Sequence, residues 1–160
     1  MNSNFLTGCP TNFYIASGKG ESDYKLVSFD NALIDAGVSG YNLLKVSSIL
    51  PAGCKRKENV GLKEGSLLPT AFATISSNVP GEQISSAVAV GIPKNANDIG
   101  VIMEYSGKVT KEEAENTARS MTIEAMNNHN IQIDEVISTA SSAVVNSDKY
   151  VSIVSVLSMW

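Results

Sequence analysis

The stretch Tyr41-Asn-Leu-Leu-Lys-Val-Ser-Ser-Ile-Leu-Pro51, with a helix signal before it and strand-like runs after it, decides the fold class of this chain. Leu43, Leu44 and Val46 predict a strand over residues 41–48, and Pro51 follows Ser48 by three residues. A stiff strand running into a proline turn can hold one peptide bond away from its relaxed geometry. In such a place a serine hydroxyl can attack the carbonyl of the preceding residue and convert the amide to an ester. β-Elimination and hydrolysis would then cut the chain and leave a ketone on the new N-terminus. The plainer reading of Ser47-Ser48 is two small residues closing a strand. Composition does not separate the two, because Ser76-Ser77, Ser85-Ser86 and Ser141-Ser142 repeat the dipeptide.

Upstream, residues 12–17 read as a strand, and Gly18-Lys19-Gly20 as the turn that stops it. This glycine pair is too short for a phosphate-binding fingerprint, and no suitable strand–loop–helix unit follows. A helix is predicted over residues 28–36, with Ser28 as N-cap, Leu33 and Ile34 as apolar contacts and Gly37 just past the end. Downstream, residues 52–65 read as a loop. Strand-like runs follow at about 67–77, 84–92 and 99–105, the first two joined by the turn Val79-Pro80-Gly81-Glu82. Thr110-Lys-Glu-Glu113 is a capping box opening a helix to about residue 127, with Ala114, Ala118, Met121 and Ala125 as its apolar stripe. Strands at about 133–143 and 149–158 end the chain, and the apolar residues of the last face both ways. Six or seven strands and two helices, without strict β-α-β alternation, predict a single α+β domain over residues 1–160, with helices outside antiparallel or mixed sheets.

Composition narrows the function classes. The 160 residues are 43% hydrophobic and 18% charged, with a net charge of −4, as in an ordinary globular protein. A mildly acidic chain is poorly suited to nucleic acid, and Lys55-Arg56-Lys57 reads as a solvated surface cluster. Cys9 and Cys54 have no metal-ligand spacing and read as free thiols of a reducing cytoplasm. Neither a signal peptide nor an apolar run of membrane length is evident, so a cytoplasmic protein without membrane contact is expected. His129 stands alone among asparagines past a helix end and reads as a surface cap. No Ser-His-Asp set, metal cluster or Walker loop can be assembled around it.

Three polar residues carry candidate chemistry. Glu104, in Gly100-Val-Ile-Met-Glu-Tyr105, occupies the most apolar strand context of any acid in the chain. Burial there would favour a protonated general acid. Strict alternation instead turns Glu104 outward and Val101, Met103 and Tyr105 inward. Asp30, in the first turn of the predicted 28–36 helix, is either a helix-dipole partner or an anchor for a cationic group. Asn42 shares a face with Ser48 if one strand spans both, and there either serves the serine or pairs with a neighbouring strand.

Phe29-Asp-Asn-Ala-Leu33, Asn42-Leu-Leu-Lys-Val-Ser-Ser-Ile-Leu-Pro51, Leu68-Pro-Thr-Ala71, Val79-Pro-Gly-Glu82, Ile92-Pro-Lys94 and Met103-Glu-Tyr105, in this order, resemble the pyruvoyl-dependent arginine decarboxylases. The likeness runs from about residue 12 to about residue 128. It implies a four-layer αββα sandwich, self-cleavage between Ser47 and Ser48 into chains 1–47 (β) and 48–160 (α), and a covalent pyruvoyl cofactor derived from Ser48, with neither metal nor pyridoxal phosphate. It further implies conversion of L-arginine to agmatine and CO2 through a Schiff base, in a homotrimer with active sites between subunits. Under the resemblance Glu104 is the proton donor, Asn42 acts beside the pyruvoyl site, and Asp30 receives the guanidinium. Leu26, Ser47 and Ile49 line the pocket. Ser39-Gly40-Tyr41 departs from the family pattern, and Tyr41 is read as reshaping the pocket. The alternatives are the same chemistry on another amino acid, or an uncleaved, inactive trimeric binding subunit.

Overall fold

A computed structural model describes residues 8–160. Residues 1–7, on which the expectation of no signal peptide rests, lie outside the described residues. The element order is β1 (Asn12–Ser22), α1 (Lys25–Asp35), β2 (Asn42–Lys45), β3 (Ile49–Leu50), β4 (Lys55–Arg56), β5 (Leu67–Ser77), β6 (Gln83–Pro93), β7 (Gly100–Gly107), α2 (Lys111–Asn128), β8 (Ile133–Val144) and β9 (Tyr150–Met159). The first sheet runs β2-β5-β9-β1-β4, with β9 antiparallel to both neighbours and the edge strands β2 and β4 parallel to theirs. The second runs β3-β7-β6-β8 and is antiparallel throughout.

The two sheets pack face to face. Phe13, Ile15, Ala71, Leu157 and Met159 of the first meet Leu50, Val88, Val90 and Ile102 of the second in one apolar layer. Ala32 and Leu33 of α1, with its C-cap Ala36, cover the outer face of the first sheet against Leu68, Val154 and Val156. Ala114 and Ala118 of α2 cover the second against Ala87, Ala89 and Ala140. The result is the αββα sandwich, α+β in class. A strand covered on both faces reads as continuously apolar, and β9 is buried from Val151 to Met159. Its serines are satisfied by neighbouring hydroxyls: Ser152 with Ser28 and Ser76 at 2.6 and 2.7 Å, Ser155 with Ser17 at 2.8 Å, and Ser158 with Thr70 at 2.9 Å.

Four local expectations are corrected. Gly18 and Gly20 do not stop β1, which continues to Ser22. A Cβ on Gly18 would lie 2.2 Å from the Ala32 carbonyl oxygen, and one on Gly20 would lie 2.4 Å from the Ser28 carbonyl oxygen. These glycines let α1 rest on the backbone of β1. Ser28 is not an N-cap: α1 begins at Lys25, and Ser28 is fully buried in its first turns with its hydroxyl donating to the Lys25 carbonyl. Asp30 therefore lies beyond the first turn, which contains no acidic residue, and the dipole reason for its presence falls. The predicted strand over 41–48 is broken, because β2 ends at Lys45 and the chain leaves the first sheet before Ser48.

The loop read over residues 52–65 contains the short edge strand β4, which pairs with β1. Cap and turn readings hold. The Thr110–Glu113 capping box is present in full, and its hydrogen bonds from Thr110 pull the Glu113 carboxyl below the ordinary range. Gly81 takes a φ of +88° in the Val79–Glu82 turn. Against α2 the buried stripe is Ala114, Ala118, Thr122 and Met126, one step round the helix at its C-terminal end from the predicted one. Gly18→Ala is expected to destabilise the fold by about 1–3 kcal/mol through overpacking. Gly61→Ala, where an added Cβ meets nothing within 4 Å, is expected to be near neutral. Urea midpoints of the two variants against the parent measure the difference.

Candidate active site

Ser47 and Ser48 lie where the chain passes from one sheet to the other. The Val46 N–H still donates to the Thr70 carbonyl of β5 at 3.3 Å, and two residues past Ser47 the chain pairs with β7 through Ile49↔Val101 and Leu50↔Gly100. Between these ladders the backbone is held piece by piece. The Ile49 N–H donates to the Ser47 carbonyl at 2.7 Å, closing a three-residue turn centred on Ser48. The Ile102 N–H donates to the Ser48 carbonyl at 2.8 Å. The Ser48 hydroxyl donates to Oε2 of Glu104 at 3.1 Å. Both carbonyls flanking the residue and its side chain are thus oriented at once.

Glu104 reaches the serine because of its register. Ile102 of β7 faces the layer between the sheets, and Ser106, two steps further, donates to the Thr74 carbonyl of the opposite sheet at 3.2 Å. Glu104 lies between them on the same face, near the open edge, with 16% of its side chain exposed. Tyr105, on the other face, packs against the α2 layer. The alternation argument that turned Glu104 to solvent is overturned, since in a four-layer sandwich neither face of this strand is a free surface. The surroundings also differ from the expected apolar pocket: Lys45 Nζ stands 3.7 Å from Oε1.

The remaining predicted residues divide. Ile49 adjoins Ser48 and is 38% exposed. Asn42 does not share a strand with Ser48; its side-chain amide donates to the Gly65 carbonyl at 2.9 Å and ties the start of β2 to the loop before β5. Tyr41 packs with the outer layer, its hydroxyl 3.2 and 3.1 Å from the carbonyls of Val60 and Leu62, so it braces residues 57–64. Asp30 is exposed on α1 and makes no hydrogen bond or ion pair among the described residues. Leu26 is 77% exposed and lines an apolar recess of about 340 Å³ with Lys25, Phe29, Thr74 and Ser76. Within one chain α1 packs on β1 and β9, not on the Ser48–Glu104 pair. His129 is exposed at the C-cap of α2. Cys9 and Cys54 are free thiols, and burial, with Cys9 nearby, pushes the Cys54 thiol up.

Sequence reading missed Lys45. Its ammonium has three neighbours: the Phe72 carbonyl, to which it donates, the Phe72 ring with its centroid 4.4 Å away, and the Glu104 carboxylate. Its signal was available, since Lys45 is the one charged residue between Tyr41 and Pro51.

The pocket suits a pyruvoyl precursor. A serine hydroxyl faces a carboxylate, and the preceding carbonyl oxygen already accepts a backbone N–H. No described helix is long and apolar enough to cross a membrane.

The chain is similar to known proteins over most of its length. The profile of the pyruvoyl-dependent arginine decarboxylase family matches residues 12–160. A pyruvoyl-dependent arginine decarboxylase of Thermococcus kodakarensis is 40% identical over 152 residues, covering 94% of this chain and 96% of the relative. Those of Methanococcus aeolicus and Methanocaldococcus jannaschii are 40% and 44% identical, over 85% and 70% of this chain and 82% and 68% of their own lengths. The solved structure of a pyruvoyl-dependent histidine decarboxylase at pH 8 shares the fold, with a TM-score of 0.51 at 13% identity over 62% of this chain and 52% of that one. With the family profile spanning both sheets, both helices and the Ser48–Glu104 contact, this chain belongs to the pyruvoyl-dependent arginine decarboxylase family.

Proposed function

We propose that this protein cuts itself between Ser47 and Ser48 and then converts L-arginine to agmatine and carbon dioxide. The observation that carries the reading is the 3.1 Å hydrogen bond from the Ser48 hydroxyl to Glu104, at a peptide bond spanning two sheets. In the cut, Glu104 takes the hydroxyl proton as Oγ bonds to the Ser47 carbonyl carbon. Charge developing on the Ser47 oxygen meets the Ile49 N–H already 2.7 Å away. The C–N bond then breaks, its nitrogen takes up a proton, and residues 47 and 48 are joined by an ester. Loss of the residue 48 α-proton expels Ser47 as a carboxylate, and water releases ammonia and leaves the ketone. The products are chains 1–47 and 48–160.

The pyruvoyl group supplies an electrophilic carbonyl for the substrate amine and a sink for the electrons left by carbon dioxide. Glu104, held at the same position, returns a proton to the substrate α-carbon. Asn42 keeps the entry to β2 in place through Gly65, and Ile49 and Leu26 offer apolar walls. Asp30 is the anchor for the guanidinium, for which a carboxylate offers two parallel acceptors. Because Asp30 and Leu26 stand on α1, away from Ser48 of their own chain, the complete pocket draws α1 from a neighbouring copy. Tyr24, Leu26 and Val27 expose 73%, 77% and 46% of their surface on and beside that helix, in keeping with a homotrimer of αβ units. The free thiols Cys9 and Cys54 suit a cytoplasmic location.

Ser48→Ala is expected to abolish both cleavage and activity; two bands on a denaturing gel from this variant would move the cut elsewhere. Glu104→Gln is expected to lower turnover by about 10²–10⁴-fold, read as carbon dioxide release. Asp30→Ala is expected to raise KM for arginine roughly ten- to hundredfold, as for loss of a charged hydrogen bond. KM for a neutral amino acid should stay unchanged; an equal rise for both substrates would make Asp30 structural.

A further inference from the structure

Lys45 lies on the edge strand β2, three residues before the bond proposed to be cut, and 56% of its side chain is exposed. A lysine in that place ordinarily extends into water. Here the ammonium is turned back across the gap between the sheets. It donates to the Phe72 carbonyl of β5, the strand that pairs with β2, and lies over the Phe72 ring at 4.4 Å. Two contacts on one rigid strand define where Nζ sits. From there it reaches Oε1 of Glu104 on the opposite sheet at 3.7 Å, while Oε2 of the same carboxylate accepts the Ser48 hydroxyl at 3.1 Å.

The two oxygens of Glu104 therefore have different partners. One is held by a fixed cation and the other is presented to residue 48. A carboxyl that serves first the serine hydroxyl and later the substrate α-carbon must offer one oxygen in one direction, or the reacting atoms fall out of line. An exposed ion pair adds little to stability, so its use is to be sought in geometry. We infer that Lys45 is a positioning residue for Glu104, clamping Oε1 so that Oε2 faces residue 48 during both self-cleavage and turnover. The inference rests on the role proposed above for Glu104.

The test combines Lys45→Met and Lys45→Arg with native Glu104 and with Glu104→Gln, following the rate at which fresh full-length protein divides into two chains, and kcat and KM of the divided fraction. Lys45→Met is expected to slow cleavage and lower kcat on the order of tenfold, the scale at which removal of an orienting partner acts. KM for arginine should stay within about twofold, because substrate binding is untouched. Lys45→Arg should restore both rates, and in the Glu104→Gln background Lys45→Met should slow neither further. Thermal melting of each variant checks the fold, and Lys45→Gln replaces Lys45→Met if the latter melts early. Unchanged cleavage and kcat in Lys45→Met beside an impaired Glu104→Gln overturn the inference alone. So does a raised KM with kcat retained, which would make Lys45 a substrate ligand, or a further loss in the double variant. Normal cleavage and turnover in Glu104→Gln itself would remove the underlying role and this inference with it.

Discussion

The structure turns on the passage of the chain from one sheet to the other at residues 46–48. Strands β2 and β3 are neighbours in sequence but belong to different sheets, and face-to-face sheets stand about 10 Å apart. Three residues must cover that distance at the open edge of the sandwich. Residues on a ladder have their carbonyls claimed by a regular partner, whereas here each is claimed singly, by Ile49 for Ser47 and by Ile102 for Ser48. The crossing also puts Ser48 beside β7 of one sheet and leaves Lys45 on the other, so residues from both sheets converge on one side chain. Where the chain crosses sets which bond is exposed, oriented and faced by a carboxylate.

Much of the fold was legible because its signals are local. The capping box at Thr110–Glu113 and the proline-glycine turn after Val79 each specify their own geometry without help from distant residues. Apolar residues on both faces of the last strand, Val151, Ile153, Val154, Val156 and Leu157, reported burial on two sides. Gly18 and Gly20 misled for a physical reason: a glycine needed for a turn and one needed for close approach of a helix look the same in one dimension. The extent of α1 was hidden likewise, since Ser28 resembles a cap and is in fact a buried partner of Ser152, 124 positions away.

Of the candidate residues, the structure brings Glu104 to Ser48, with Ile49 adjoining, and leaves Asn42, Asp30 and Leu26 elsewhere in the chain. Residue pattern brought forward Ser48, Glu104, Asn42 and Asp30, but alternation placed Glu104 in solvent and one long strand placed Asn42 beside the serine. Both arguments assumed a sheet with one wet face and a strand that stays in its sheet. Lys45 escaped notice because a lone lysine on an edge strand is ordinary; only its reach to Phe72 and Glu104 distinguishes it.

The place of β9 has a consequence for timing. This strand follows the other described strands in sequence, yet it is the centre of the first sheet, pairing with β1 from Phe13↔Met159 to Ser22↔Tyr150 and with β5 from Thr70↔Ser158 to Ser77↔Val151. Until it arrives, β1 and β5 have no strand between them, and the sheet that carries β2 toward the crossing is unfinished. Under the proposed self-cleavage, the bond between Ser47 and Ser48 is therefore not activated until β9 has joined the sheet. The proposed cut would leave residues 1–47 in place, because β1 is hydrogen-bonded along its length to β9, which would belong to the other fragment. Such a scission would change the number of chains and leave the molecule whole.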